Sequence, residues 1–195
     1  MQKKPLRILM ITDFFPPTVG GIESHVAMLS NQLSTHGHKV VVATIKQDNF
    51  EGSEKQCGIE IYRLKSFFHN LRFTYLDSKK KYHPPFKDPY VSEELEKLIL
   101  DFKPDIIHSH GSIIFSYMPI HRKNKIPLVA TLHNYSFICP RQDFFYMTKQ
   151  VCDLPFTKKC YDCTTRQFGL LKSIFTTGST KKLIRLCNSF LSGFS

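Results

Sequence analysis

No stretch of this sequence approaches the ~20 apolar residues that cross a bilayer. A helical membrane anchor is therefore not expected. Lys3, Lys4 and Arg7 precede an apolar stretch, which resembles the start of a secretion signal. That stretch runs only from Ile8 to Ile11, and Asp13 soon closes it. A signal core needs about 7 to 15 apolar residues, so the stretch reads as a first strand and the expected location is the cytoplasm. Glycine and proline are not enriched, at nine and eleven of 195 residues, which excludes collagen-like and low-complexity chains. The G-x-G-x-x-G fingerprint is missing, and strand two ends in Lys46 and Gln47, not in an acid that could hold a ribose. A dinucleotide site is not indicated. No internal repeat is present.

Acidic residues are scarce. Sixteen Asp and Glu face twenty-seven Lys and Arg, a net charge of +11. The bases form no helical stripe and accompany no RNP, zinc-finger or basic-zipper motif, so no nucleic-acid partner is expected. Two readings of the charge stay open. One is a solvated basic surface. The other is peripheral contact with an anionic membrane on its inner face, where each base contributes about 1 kcal/mol. Lys79–Lys81 is one candidate contact. Lys181–Arg185 is another, with Leu183, Ile184 and Leu186 set among the bases as in interfacial helices.

The chain itself is ordinary in apolar and charged content, 42% and 22%, and long enough for one domain. Leu6–Thr12, Lys39–Ile45 and Pro127–His133 read as buried strands, with Asp105–Ser109 as a short one. Ile59–Leu64 alternates and suggests a strand nearer an edge. Ile22, Val26, Leu29 and Leu33 mark one face of a helix, with Glu23 in its first turn and Gly37 as its stop. Val91, Leu95, Leu98, Ile99 and Phe102 mark another, with Ser92 as the expected N-cap. Asp48–Gly58 reads as loop. Phe67–Pro89 reads as loop with a short helix, and Gln167 onward as helix. The alternation of strand and helix predicts an α/β fold: a Rossmann-like parallel sheet with helices on both faces.

Four places could carry chemistry. After strand one, Pro16 to Glu23 includes Gly20 and Gly21. Such a turn lets backbone approach a ligand, and the next helix offers free N–H groups to a phosphate; a plain tight turn is the alternative. His108-Ser109-His110-Gly111 ends another strand. Alternation points both imidazoles the same way, with His110 nearer the loop. His-x-His can also bind metal, but no third ligand is evident nearby. Thr131-Leu132-His133-Asn134 ends a third strand, where His133 and Asn134 could hydrogen-bond a sugar or polarise a leaving group. Finally, Cys139, Cys152, Cys160 and Cys163 lie in an irregular stretch. Cys160-x-x-Cys163 is a zinc half-site, and four thiolates could close a structural site. Packed thiols are the alternative.

Asp13-Phe14-Phe15-Pro16-Pro17, Gly20-Gly21-Ile22-Glu23-Ser24-His25 and His36-Gly37-His38-Lys39-Val40, in that order, resemble the opening of family 4 glycosyltransferases. Asp105–Gly111, and Thr131–Asn134 followed by Ile138-Cys139-Pro140-Arg141, resemble that family's next landmarks. The Cys-rich stretch at about 134–165 resembles an insertion found in some members. The resemblance implies the N-terminal, acceptor-side half of a GT-B fold in one domain over 1–195. It implies retaining transfer of a sugar from a nucleotide-sugar donor to a glycan or lipid-linked acceptor, with no cofactor or metal needed for the chemistry. Gly20 and Gly21 would approach the donor diphosphate. His133 would face the transferred sugar as the catalytic histidine. His110, Glu23 and Asn134 would lie on the acceptor side. The family's second domain carries two glutamates seven residues apart, a spacing this sequence lacks. The expectation is a truncated chain, or one whose donor half comes from a partner chain, with little activity alone. A non-catalytic module that docks a catalytic partner or a membrane is the competing function.

Overall fold

The computed structural model describes residues 4–47, 52–67, 81–147, 149–153 and 157–169. The chain divides into two compact units, Met1–His133 and Asn134–Ser195.

The first unit is the expected sheet. Its elements run β1 (Arg7–Thr12), α1 (Gly21–Thr35), β2 (Lys39–Ile45), β3 (Ser53–Gln56), β4 (Ile59–Leu64), α2 (Pro89–Phe102), β5 (Ile106–His110), α3 (Ile114–Asn124) and β6 (Leu128–Thr131). The strand order is β3-β4-β2-β1-β5-β6. All neighbours are parallel except β3 and β4. Successive side chains on a strand point to opposite faces, and the core divides accordingly. Leu9, Ile11, Val41, Ala43, Ile45 and Ile107 pack with Val91, Leu95 and Phe102 of α2 and with Tyr117 of α3. Ile8, Met10, Val40, Val42, Ile59 and Ile61 pack with Val26 of α1. Helices therefore cover both faces, as the unbroken apolar runs of β1 and β2 require.

Three local expectations need correction. Ser53–Gln56 lies in the segment read as loop, yet it is a strand, paired antiparallel with β4 through a tight turn in which Cys57 and Gly58 have φ of 50° and 80°. Its four residues are all exposed, so no apolar alternation marks it. The N-cap of α2 is Asp88, whose carboxylate accepts from Tyr90 and Val91 N–H at 2.9 and 3.2 Å. Pro89 at the first helical position fixes that start. Ser92 is buried within the helix and donates to the Ser116 carbonyl at 2.9 Å. Third, β6 is not a buried strand. It lies at the end of the sheet order, and Val129 and Leu132 are exposed.

The second unit contains the two-residue strands β7 (Phe145–Tyr146) and β8 (Gln150–Val151) and the helix α4 (Thr157–Phe168). The stretch expected to be irregular thus holds a small hairpin and a helix. The expected helix beyond Gly169 lies outside the described residues, as do Lys79, Lys80 and Lys181–Arg185. No helix among the described residues is long and apolar enough to cross a membrane.

Candidate active site at the sheet switch point

β1 pairs with β2 on one side and β5 on the other. The chain runs outward from β1 to β2 and β4 on one side and returns through α2 to β5 on the other, so the strand order reverses between β1 and β5, where the crevice of such sheets lies. Ligands of open α/β sheets bind at that crevice. The strand-end residues Asp13, His110 and His133 and the Gly20-Gly21 turn all come from this edge.

The two expected histidines meet there. His110 Nδ1 and His133 Nε2 are 2.9 Å apart in a hydrogen bond, and their rings stack with centroids 5.2 Å apart. His108 shares the direction of His110, with centroids 4.2 Å apart, and bonds Thr131 Oγ1 at 2.8 Å. Sequence reasoning missed a fourth ring. His25 lies 5.3 Å from His133 and 5.8 Å from His110, centroid to centroid. It sits one helical turn past Gly21 on α1, and that spacing from the glycine pair was the available signal.

Burial differs along the cluster. His110 is fully buried, His133 half-buried and His25 exposed. Burial, then the neighbouring imidazoles, pushes His110 down to about 3. Burial also lowers His133, with His25 adding to it, and lowers His108. These three rings are neutral at pH 7, each with one N–H donor and one lone pair. One nitrogen from each of His25, His110 and His133 lies within 4.8 Å of the other two. Three imidazoles so placed are also a plausible ligand set for a divalent transition metal.

Asp13 is a further residue that sequence reasoning passed over. Its carboxylate accepts from the Ser112 N–H at 3.0 Å and the Ile113 N–H at 2.7 Å. It thereby ties the end of β1 to the start of α3. Burial pushes its carboxyl up to about 7, against the pull of those two amides, and the Glu23 carboxylate adds to the rise. Gly111 has φ of +87°, and a Cβ there would stand 2.8 Å from Asp13 Oδ2. The glycine is needed for both reasons.

The glycine turn has a local cause as well. Gly20 is the extended N-cap of α1, and a side chain on it would collide with the Glu23 carboxylate. Glu23, expected on the acceptor side, is instead buried against that turn at 4% exposure. Arg63 donates to the Pro16 carbonyl at 2.7 Å and holds the preceding loop to β4. Asn134, the other acceptor-side candidate, belongs to the second unit. There its Oδ1 accepts from the Ser136 N–H at 3.0 Å, which shapes a turn.

A cavity of about 970 Å³ lies elsewhere: Lys46, Tyr62, Lys65, Glu94, Lys97 and Asp101 are among its lining residues. None of the strand-end imidazoles faces it, so volume does not mark the chemistry here. In the second unit, Cys139, Cys152, Cys160 and Cys163 line one cavity of about 20 Å³. Burial, then the other three sulfurs, pushes the Cys160 thiol up to about 11.

A mostly parallel sheet with helices on both faces defines an α/β, Rossmann-like fold, and the comparisons agree. The catalytic domain of starch synthase IV from Arabidopsis thaliana, bound to ADP and acarbose, superposes with a TM-score of 0.51 at 20% identity, over 68% of this chain and 34% of that one. The sequence profile of Glycosyltransferase Family 4 matches residues 19–156, so the chain belongs to that family. It is 34% identical over 108 residues to the phosphatidylinositol N-acetylglucosaminyltransferase gpi3 subunit of Schizosaccharomyces pombe, covering 54% of this chain and 21% of that protein. It is 29% identical over 140 residues to an uncharacterized 42.6 kDa protein in the cps region of Klebsiella pneumoniae, covering 68% and 38%. The chain thus spans well under half the length of these two relatives.

Proposed function

We propose that this chain supplies the acceptor-side half of a retaining glycosyltransferase, which moves a hexose-type sugar from a nucleotide-sugar donor to a glycan or lipid-linked acceptor. The observation that carries the reading is the meeting of His25, His110 and His133 beside the Gly20-Gly21 turn, at the switch point of a parallel sheet. Family membership supports it.

In this reading the neutral rings act by hydrogen bonding rather than by charge. The His110–His133 bond couples the tautomers of the two rings and holds the His133 ring plane, leaving Nδ1 and the open ring edge to meet the transferred sugar. His110, sealed behind it, is a positioning residue. The N-terminus of α1 favours the donor diphosphate. Glu23 lies against that same turn, so a bound diphosphate would meet or displace its carboxylate. A second protein domain or chain would supply the remaining donor contacts, and the net charge of +11 would favour attachment to an anionic inner membrane face. No organic cofactor is needed.

Histidine-selective NMR of the chain, titrated with nucleotide sugars and with lipid-linked acceptors, tests the reading. The His25 and His133 ring signals should shift while His36 and His38 stay put. If no donor or acceptor moves them, the assignment fails. In a transfer assay that includes the donor-binding partner or domain, His133→Ala should lower turnover by about 10²–10⁴-fold.

A further inference from the structure

The described part of the second unit encloses sulfur rather than aliphatic side chains. Its buried residues, among those described, are Cys139, Cys163 and Thr164. Phe145 and Val151 of its hairpin are exposed. Two strands of two residues are not stable alone in water. Disulfides and metals are what commonly hold small segments with no buried aliphatic side chain among their described residues. Cys139, Cys152, Cys160 and Cys163 are not joined to one another in disulfides.

We propose that Cys139, Cys152, Cys160 and Cys163 bind one zinc ion as a structural four-thiolate site, separate from sugar transfer and independent of the reading above. Four points of the chain deliver the sulfurs. Cys139 comes from a turn in which the Gln142 N–H bonds its carbonyl at 2.9 Å. Cys152 follows β8. Cys160 and Cys163 lie three residues apart on α4, one turn of a single helix face. All four line the same cavity. A cavity of about 10–15 Å³ admits one water-sized sphere, so about 20 Å³ admits one ion and little else. The remaining walls are Pro140, Phe145 and Tyr146 together with Arg141, Lys159 and Thr164, and the four sulfurs offer a soft cation its preferred ligands.

Two bases stand beside the sulfurs, each also ion-paired to an aspartate, Arg141 to Asp143 and Lys159 to Asp153. One zinc on four thiolates carries a net double negative charge. The Arg141 guanidinium stands 3.9 Å from Cys163 Sγ, and the Met147 N–H donates to the same sulfur at 3.3 Å. Lys159, adjacent to Cys160, stands over the Tyr146 ring at 4.7 Å. Donors of this kind hold thiolate ligands in place. No three of the sulfurs meet the 4.8 Å spacing of the imidazole group; binding would rotate them inward to Zn–S distances of about 2.3 Å. Four Zn–S bonds form, four S–H bonds break, and the four protons leave to solvent.

The full chain, purified from zinc-supplemented cells without chelator, should carry about one zinc per chain by elemental analysis, released by a thiol-blocking mercurial. Cys160→Ser with Cys163→Ser should bring that to below about 0.1. Cys57→Ser, in the exposed β3–β4 turn, and His25→Ala, in the imidazole group, should each leave it unchanged. Cobalt loading of the unaltered chain gives a reading that does not depend on the double variant folding: sulfur-to-cobalt charge transfer with the strong visible bands of a tetrahedral centre. Zinc-free protein without those cobalt bands overturns the proposal. So does zinc that survives the double cysteine change or disappears with His25→Ala.

Discussion

The two units hide very different things from water. The unit ending at His133 buries aliphatic side chains on both faces of a sheet, with Leu9, Met10, Ile11 and Val42 fully enclosed. The described part of the unit beginning at Asn134 encloses two thiols and a threonine. The first is held by area removed from water, at roughly 25 cal/mol per Å². The described part of the second has almost no such area, and there bonds of another kind would have to hold it. The contrast explains why the first unit is written as hydrophobic rhythm and the second as cysteine spacing.

That contrast can be broken from either side. The largest effect should come from metal removal, since structural zinc contributes about 10 kcal/mol or more in small domains. Chelator or the double cysteine change should erase amide protection over 139–163 in hydrogen exchange and leave β1, β2 and β5 protected. Loss of protection in both units would show that they do not fold separately. The converse change is Leu9→Ala, which should cost about 2–5 kcal/mol of sheet stability without lowering zinc content, as read by denaturant midpoint and elemental analysis.

Asp13 sharpens the picture within the first unit. Its folded carboxyl titrates near 7, above the ordinary 3.8. The folded state therefore holds a proton that the unfolded chain has lost. The contribution of Asp13 is greatest below pH 4 and falls as pH rises from about 4 to about 7, by on the order of 2–4 kcal/mol. His83 and His110 work the other way. Burial lowers them to about 4 and about 3, so their contribution is lost as pH falls below about 6.5. Subtracting the stability profile of Asp13→Asn from that of the unaltered chain isolates the first trend. A flat difference curve would show that Asp13 is not buried as described. The smallest effect should be Gly111→Ala, at about 1–3 kcal/mol, from its left-handed backbone and the nearness of Asp13; an unchanged midpoint would argue against both.

Much of the sheet unit was legible because its strands are buried on both sides and its helices carry one apolar stripe. β2 begins and ends where its apolar run does. β3 was not legible, because a strand exposed along its whole length has no apolar signature. Asp88 was passed over as a cap because Ser92 sits closer to the apolar face, yet the proline between them decides where the helix starts. For the site, His110 and His133 could be found as strand-end residues. His25 could not be found by strand logic, since it reaches the same edge from a helix. Asp13 looked like part of a turn; its role appears only when a partner about a hundred residues away folds against it. Glu23 was expected to face a ligand, and burial of a carboxylate at a helix start is not visible in residue order.

The polar β3 strand has a use beyond completing the sheet. An unpaired sheet margin is a template on which another molecule's backbone can add itself. Ser53–Gln56 presents a glutamate and a lysine along that margin, on a strand of four residues. A second copy that aligned there would find few hydrogen bonds to make along four residues and would have to strip water from Glu54 and Lys55. Its shortness and its charged side chains thereby guard the margin beside β4 against fibre-like self-association.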